Sequence, residues 1–327
     1  MLSEKIVVGP VARPTRFAGR PFPEFIRGTG LKGTERFIEF FTVHIRNPNT
    51  RAAYADDIGQ FCAWADARSL TLKKLRPIMI ASYIEGLQAK RAAPSVKRHL
   101  AAIRTLFDWL VLGQVLPVNP AASVRGPTYI VKRGKTPILT PIETRTLLDS
   151  LPTDHVVGLR DRALIGVMTY AFARVSAVVG MKVGDYYAAG KRSWIRLHEK
   201  RGKVHELPAH HNAQLYLDEY LAAAGIAADV KGPLFRSAAG RSSRLNASPM
   251  GRTDVFRMIQ RRIKEAGILS RAGCHTFRAT GITTYLANGG KLERAQAIAN
   301  HESAETTRIY DRNEDELTLD EIERIVI

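Results

Sequence analysis

Between Thr34 and Gly113 apolar residues recur at the helical period in four successive segments: ERFIEFFTVHI, NTRAAYADDIGQFCAWADAR, PIMIASYIEGLQAK and PSVKRHLAAIRTLFDWLVLG. Four amphipathic segments of this length, separated by short loops, have few ways to bury their stripes except against one another. The pattern predicts a compact helical bundle over residues 32–117. Asn49 or Thr50 is the expected cap of the second segment, and Pro94-Ser95 opens the fourth.

The flanks are of another kind. Residues 1–31 carry Pro10, Pro14, Pro21 and Pro23 among Arg13, Arg16, Arg20 and Arg27, which reads as a mobile basic arm. The stretch from Gln114 to Ile138 holds four prolines and the cluster Lys132-Arg133-Gly134-Lys135, and residues 118–138 read as a linker. A second domain is expected over residues 139–327. Thr140-Pro141-Ile142-Glu143 has the form of a capped helix start. GLRDRALIGVMTYAFARVSAVVGM then reads as buried helices, KRSWIRLHEKRGKVHELPAH as a β-hairpin turning near Arg201-Gly202, and the remainder as mostly helical. The fold class is therefore mainly α, with a small antiparallel sheet in the second domain.

Charge narrows the function. The 327 residues include 49 Lys+Arg against 31 Asp+Glu, a net charge of +18. An excess of that size suits a polyanionic partner, since every neutralised phosphate releases condensed counterions. Arg51, Lys97, Arg98 and Arg104 on polar helix faces, with Lys132 and Arg133 in the linker, are the candidate phosphate contacts. The longest apolar runs, such as Leu164 to Ala173, fall well short of the roughly 18 residues a membrane span needs. With no apolar leader at the N-terminus and only Cys62 and Cys274 as cysteines, a reduced cytoplasmic setting is expected, without a disulfide framework or a cysteine zinc cluster. His205 and His210-His211 lack a cysteine or carboxylate at ligand spacing, so no metal site is expected there.

Several residues could carry chemistry. Arg174 stands among apolar neighbours in TYAFARVSAVVG. Since arginine does not shed its charge, it needs either a carboxylate, with Asp161 and Asp185 as candidates, or a phosphate that arrives with the ligand. His275 and Arg278 share one helix face at i, i+3 spacing. Lys200 lies just before the hairpin turn, whose tip could enter a groove. His301 and Tyr310 are nine positions apart, which on one continuous helix would set them on opposite sides. A break at Ser303-Ala304-Glu305, with the serine capping a second helix that carries Thr307 and Tyr310, would reunite them. Two arginines for a pentavalent phosphorane, a lysine and a histidine for proton transfer, a second histidine and a tyrosine hydroxyl amount to phosphoryl transfer without a metal.

The order Arg174, Lys200, His275-x-x-Arg278, His301, Tyr310 resembles that of the tyrosine recombinases, the phage-integrase family, including the closing spacing of nine. Asn49 to Val124 looks like that family's core-binding, SAM-like helical domain, and Thr140 to about Asp311 like its catalytic domain, so the resemblance implies the tyrosine recombinase/integrase fold. It also implies the roles. Tyr310 attacks a scissile phosphate to give a 3′-phosphotyrosyl link and a 5′-hydroxyl, and Lys200 is the general acid. Arg174, Arg278 and His301 hold non-bridging oxygens, His275 is the base, and no cofactor, metal or ATP is required. Site-specific strand exchange through a Holliday junction, on double-stranded DNA with inverted-repeat core sites of a mobile element, is the implied function. Accessory DNA-bending proteins are implied partners. A type IB topoisomerase and an inert DNA-binding regulator are the rivals. Two departures stand out: Phe172-Ala173-Arg174-Val175-Ser176-Ala177 replaces the usual Gly-Leu-Arg-x-Ser-Glu, and Ala299-Asn300 replaces Leu-Gly. Beyond Tyr310, Thr318 can cap a helix with Leu319, Ile322, Ile325 and Val326 on one side. In the family such a helix docks on a neighbouring protomer, which implies a homotetramer on paired DNA sites.

Overall fold

The structure, a computed structural model, describes residues 15–129, 134–199, 202–240 and 242–311. The chain divides into two units, Met1–Ile130 and Val131–Ile327. No helix among the described residues is long and apolar enough to cross a membrane.

In the first unit a short antiparallel ribbon, β1 (Arg16–Phe17) and β2 (Arg20–Pro21), leads into α1 (Glu24–Arg27) and α2 (Gly30–Glu39), which runs on as a π-turn, Phe40–His44. Helices α3 (Pro48–Asp66), α4 (Pro77–Gln88) and α5 (Ala93–Leu112) complete the bundle. Phe37, Phe40, Phe61, Phe107, Ile58 and Leu106 are fully buried at its centre. Each such side chain contributes about 1.5–3 kcal/mol by leaving water.

Two expectations are corrected here. Residues 15–31 do not form a mobile arm: Phe22, Phe25 and Ile26 are buried in the bundle core, and the rings of Phe17 and Phe22 pack against Phe37. Prolines and arginines interleaved with these aromatics hide the apolar face from a periodicity reading. The cap of α3 is Asn47, whose side chain accepts the N–H groups of Asn49 and Thr50 at 3.0 and 3.1 Å. Pro48 at the first helical position fixes that frame.

Asp57 lies wholly inside the bundle. Its two oxygens accept Arg98 Nε and Nη2 at 2.7 and 2.8 Å, and His99 Nε2 stands 3.0 Å away. Burial opposes ionisation of this carboxyl, but the hydrogen bonds from Arg98 and His99 outweigh it and leave its pKa lowered.

The second unit starts at α6 (Pro141–Ser150), where Thr140 and Glu143 form the expected capping box. Helix α7 (Val156–Tyr170) is its axis, followed by the short α8 (Val175–Val179). Strands β3 (Tyr186–Ala189), β4 (Arg192–His198) and β5 (Val204–Pro208) make one antiparallel sheet in that order. Period-two alternation sends Ile195, Leu197 and Leu207 into the core and leaves the cross-strand partners Arg196 and Glu206 to pair outside it at 2.7 Å. Helix α9 (His211–Ala224) packs on α7. The ribbon of β6 (Arg236–Ala238) and β7 (Leu245–Pro249) was not expected from the sequence. Helices α10 (Arg252–Glu265), α11 (Cys274–Ala287), α12 (Leu292–Ala299) and α13 (Ala304–Arg308) follow. Gly281 lets α11 meet α7 closely, since a Cβ there would stand 2.1 Å from the Thr169 carbonyl oxygen. This crossing fixes the helix that carries His275 and Arg278.

Candidate active site

Helix α11 holds the nucleophile candidate at both ends. His275, in its first turn, has Nε2 2.8 Å from the Tyr310 hydroxyl, and the Thr283 hydroxyl donates to the Tyr310 carbonyl at 3.1 Å. The break between His301 and Tyr310 forms as expected. Helix α12 ends at Asn300 in a left-handed conformation (φ 49°, ψ 50°), and Ser303 caps α13 by accepting the Glu305 N–H. Tyr310 lies just beyond α13, so the rings of His301 and Tyr310 stack, with centroids 6.0 Å apart and planes 9° apart. His301 Nδ1 is 2.9 Å from the Thr307 hydroxyl, which fixes the ring and leaves Nε2 without a hydrogen bond among the described residues.

Arg278 is almost wholly buried, at 1% exposure. Arginine in that position needs acceptors, and it finds main-chain ones: Nη1 donates to the Phe172 carbonyl and Nη2 to the Ala299 carbonyl at 2.6 Å. Its Nε is buried without a partner among the described residues. Both departures from the resembled motif meet here. Phe172 occupies the place of the usual glycine with φ 49°, a strained conformation for a bulky residue that costs about 1–3 kcal/mol. Asn300 occupies the other glycine place, and asparagine tolerates that region better than most. The left-handed turns accompany two carbonyls aimed at one guanidinium.

Arg174 caps the N-terminal end of α8 with an extended backbone. Its carboxylate partner is Glu199, at 2.8 Å, and neither Asp161 nor Asp185. Asp161 is taken by Arg160 and Arg262, and Asp185 by His198 and the Lys182 N–H. Arg174, Glu199, Lys203, Asn300, His301 and Thr306 line a cleft of about 320 Å³. Lys203 pairs with Glu302 at 2.8 Å and His205 Nε2 meets the Ile298 carbonyl at 3.1 Å, so the β4–β5 hairpin is tied to the segment that carries His301.

The electrostatics favour neutral imidazoles beside two cations. Burial, then Arg278 and Arg174, lower the pKa of His275. Burial, then Arg278, Arg174 and His275, push that of His301 down to about 3. Burial raises the Tyr310 phenol against the opposing pull of both arginines. Arg278 itself is lowered to about 10, by burial first and Arg174 second. Neutral His275 can accept the phenolic proton, and the neighbouring arginines favour the phenolate that would result.

These shifts carry a stability prediction. A histidine whose folded pKa is depressed below its ordinary 6.5 contributes stability that is present above 6.5 and lost as pH falls toward the folded value. The melting temperature of the catalytic unit should therefore fall between about pH 7 and about pH 4, and His301→Gln should lose less over the same interval. Equal losses in both proteins would contradict a buried neutral His301.

Of the six expected catalytic residues, the structure brings Arg174, His275, Arg278, His301 and Tyr310 together. Lys200, with Lys132 and Arg133, lies outside the described residues. Among the DNA-contact candidates, Lys97 is exposed, Arg98 is engaged by Asp57, and Arg51 Nε donates to the Ile45 carbonyl at 3.0 Å. Arg104 donates to the carbonyls of Ala121 and Val124. His210 caps α9 through Nδ1 and stacks on Tyr170. Glu199 escaped the sequence reading as a site partner, and Thr307, expected beside Tyr310 on the second helix, was given no contact with His301 there. Glu199 directly precedes Lys200, the only signal that could have drawn attention to it.

Residues 137–316 match the Phage integrase family, and residues 35–114 match the phage integrase N-terminal SAM-like domain. Tyrosine recombinase XerC of Pelobacter propionicus is 29% identical over 84% of this chain and 89% of that protein. XerD of Chlorobaculum tepidum is 27% identical over 85% and 91%. Among solved structures, the post-cleavage complex of XerH site-specific recombinase bound to palindromic difH substrate has a similar fold, with TM-score 0.67, 16% identity and coverage of 89% of this chain and 94% of that one. A lambda integrase tetramer bound to a Holliday junction follows at TM-score 0.61, 20% identity and coverage of 83% and 76%.

Proposed function

The chain belongs to the phage integrase family, and on that premise we propose that it is a site-specific DNA recombinase whose nucleophile is Tyr310. The observation that carries this reading is the 2.8 Å approach of His275 Nε2 to the Tyr310 hydroxyl, beside Arg174, Arg278 and His301. His275 takes the phenolic proton as the Tyr310 oxygen bonds to the scissile phosphorus. The bond from phosphorus to the 5′ oxygen breaks, and Lys200 gives that oxygen its proton. Arg174, Arg278 through its Nε and His301 through its Nε2 supply the positive charge and donors for the non-bridging oxygens. The phosphodiester energy stays in the 3′-phosphotyrosyl bond, so a 5′-hydroxyl from a second duplex can reverse the step and exchange strands.

The partner in this reading is double-stranded DNA with paired, inverted-repeat core sites. Four copies assemble on two such sites, as lambda integrase does on a Holliday junction, and residues 318–327 are the candidate exchanged segment. The test is a nicked duplex whose cleaved fragment diffuses away. Trapped protein–DNA adduct at Tyr310, with exchanged products from two sites, supports the reading. Relaxation of supercoils without exchange would make the chain a topoisomerase instead, and no adduct would leave an inert binder.

Binding should be steeply salt-dependent. Lys97→Ala is expected to lower the slope of log affinity against log salt by about 0.9, one phosphate contact. An unchanged slope would remove Lys97 from the DNA surface.

A further inference from the structure

We propose that Glu199 is the positioning residue for Arg174, fixing which edge of its guanidinium faces the scissile phosphate, an assignment that rests on the reading of the site above. Arg174 leaves the start of α8 with a long side chain that is 33% exposed, and free rotation of such a chain costs about 2 kcal/mol to arrest. The turn that follows it offers Val175, Ser176 and Ala177, none of them acidic. The carboxylate comes instead from Glu199, the residue that follows β4.

Glu199 is well suited to the task. Its side chain is 6% exposed, and its own N–H donates to the Lys203 carbonyl at 2.7 Å, closing the two ends of the β4–β5 hairpin. The carboxylate therefore rides on backbone that is hydrogen-bonded across the hairpin. It engages Arg174 through Nη1 alone, and the Nε and Nη2 donors have no partner among the described residues. One edge of the guanidinium is anchored, and the other is left to meet an anion. Glu199 also offsets the mutual repulsion of the arginines, since Arg174 disfavours the charge on Arg278 and Glu199 favours it. The same carboxylate lowers the net charge facing the phosphate, so it is not a device for tighter DNA binding.

That sign distinguishes positioning from general support. With the full chain on the nicked duplex, Glu199→Gln should keep DNA affinity equal or slightly tighter while slowing single-turnover cleavage about ten- to a hundredfold, the worth of a charge-assisted hydrogen bond. Glu199→Asp, which keeps the charge but shortens the reach, should fall between Gln and the parent. In an Arg174→Ala background, Glu199→Gln should cost nothing further, because its effect runs through Arg174. All rates are to be taken well below each variant's melting temperature. Cleavage by Glu199→Gln at or above the parent rate, or a loss that multiplies with that of Arg174→Ala, overturns the assignment while adduct at Tyr310 in the parent keeps the wider reading. A parent chain that forms no adduct overturns both.

Discussion

Tyr310→Phe is expected to bind DNA as the parent chain does and to lose covalent adduct formation by on the order of 10⁶ in rate, the scale of removing a nucleophile from a preorganised site. The substitution deletes one oxygen. The ring keeps its place between His301 and the small core of Phe172, Ala279, Ile282 and Ala299. With the oxygen goes its hydrogen bond to His275, whose net worth to stability is about 1 kcal/mol, and an apolar ring gains some of that back on burial. Stability should thus be nearly unchanged and the chemistry absent. Adduct at the parent rate would place the nucleophile elsewhere.

Asp161→Ala is expected to destabilise the catalytic unit by about 3–5 kcal/mol, the cost of stranding buried charges. Asp161 is fully buried. One of its oxygens accepts Arg160 Nε and Nη2 at 3.1 and 2.6 Å, and the other accepts Arg262 Nε and Nη2 at 3.0 and 2.8 Å. The carboxylate thereby joins α7 to α10. Removing it leaves two guanidiniums in a low-dielectric core that neither can leave, and neither can shed its proton. Against a total stability of about 5–15 kcal/mol this is a large fraction, and the melting temperature should drop by roughly 10 °C or more. Residual partners exist, namely Glu265 for Arg262 at 2.9 Å and the Arg236 carbonyl for Arg160 at 2.8 Å. A change below about 1 kcal/mol would mean that these suffice.

The features legible in the sequence were those set by neighbours in the chain. The Thr140 capping box, the alternation of β4 and β5 and the serine-capped break before Tyr310 all depend on residues within a few positions of one another. The candidate site residues could be picked out for another reason, since charged and nucleophilic groups are few and their chemistry is specific. What was missed depends on packing between distant segments. Arg174 meets Glu199 across 25 positions, and no local pattern ranks it above Asp161 or Asp185. The β6–β7 ribbon is short, polar and irregular in register, so it shows no clear period. The aromatics of residues 17–26 lack a helical repeat because they fill a surface through turns. The left-handed state of Phe172 could not be read from its type, because a bulky side chain argues against it.

The hold on Arg278 has a consequence for how the site can change. Its acceptors are the main-chain oxygens of Phe172 and Ala299, and a carbonyl is present whatever side chain its residue carries. The positive charge beside Tyr310 is therefore largely insulated from the identity of those two residues, which fits a phenylalanine standing where a glycine is usual. What the arrangement cannot absorb is a change in chain path. One residue inserted or deleted beside Phe172 or Ala299 would swing its carbonyl away and strand the cation, so this part of the site tolerates drift in sequence far better than drift in length.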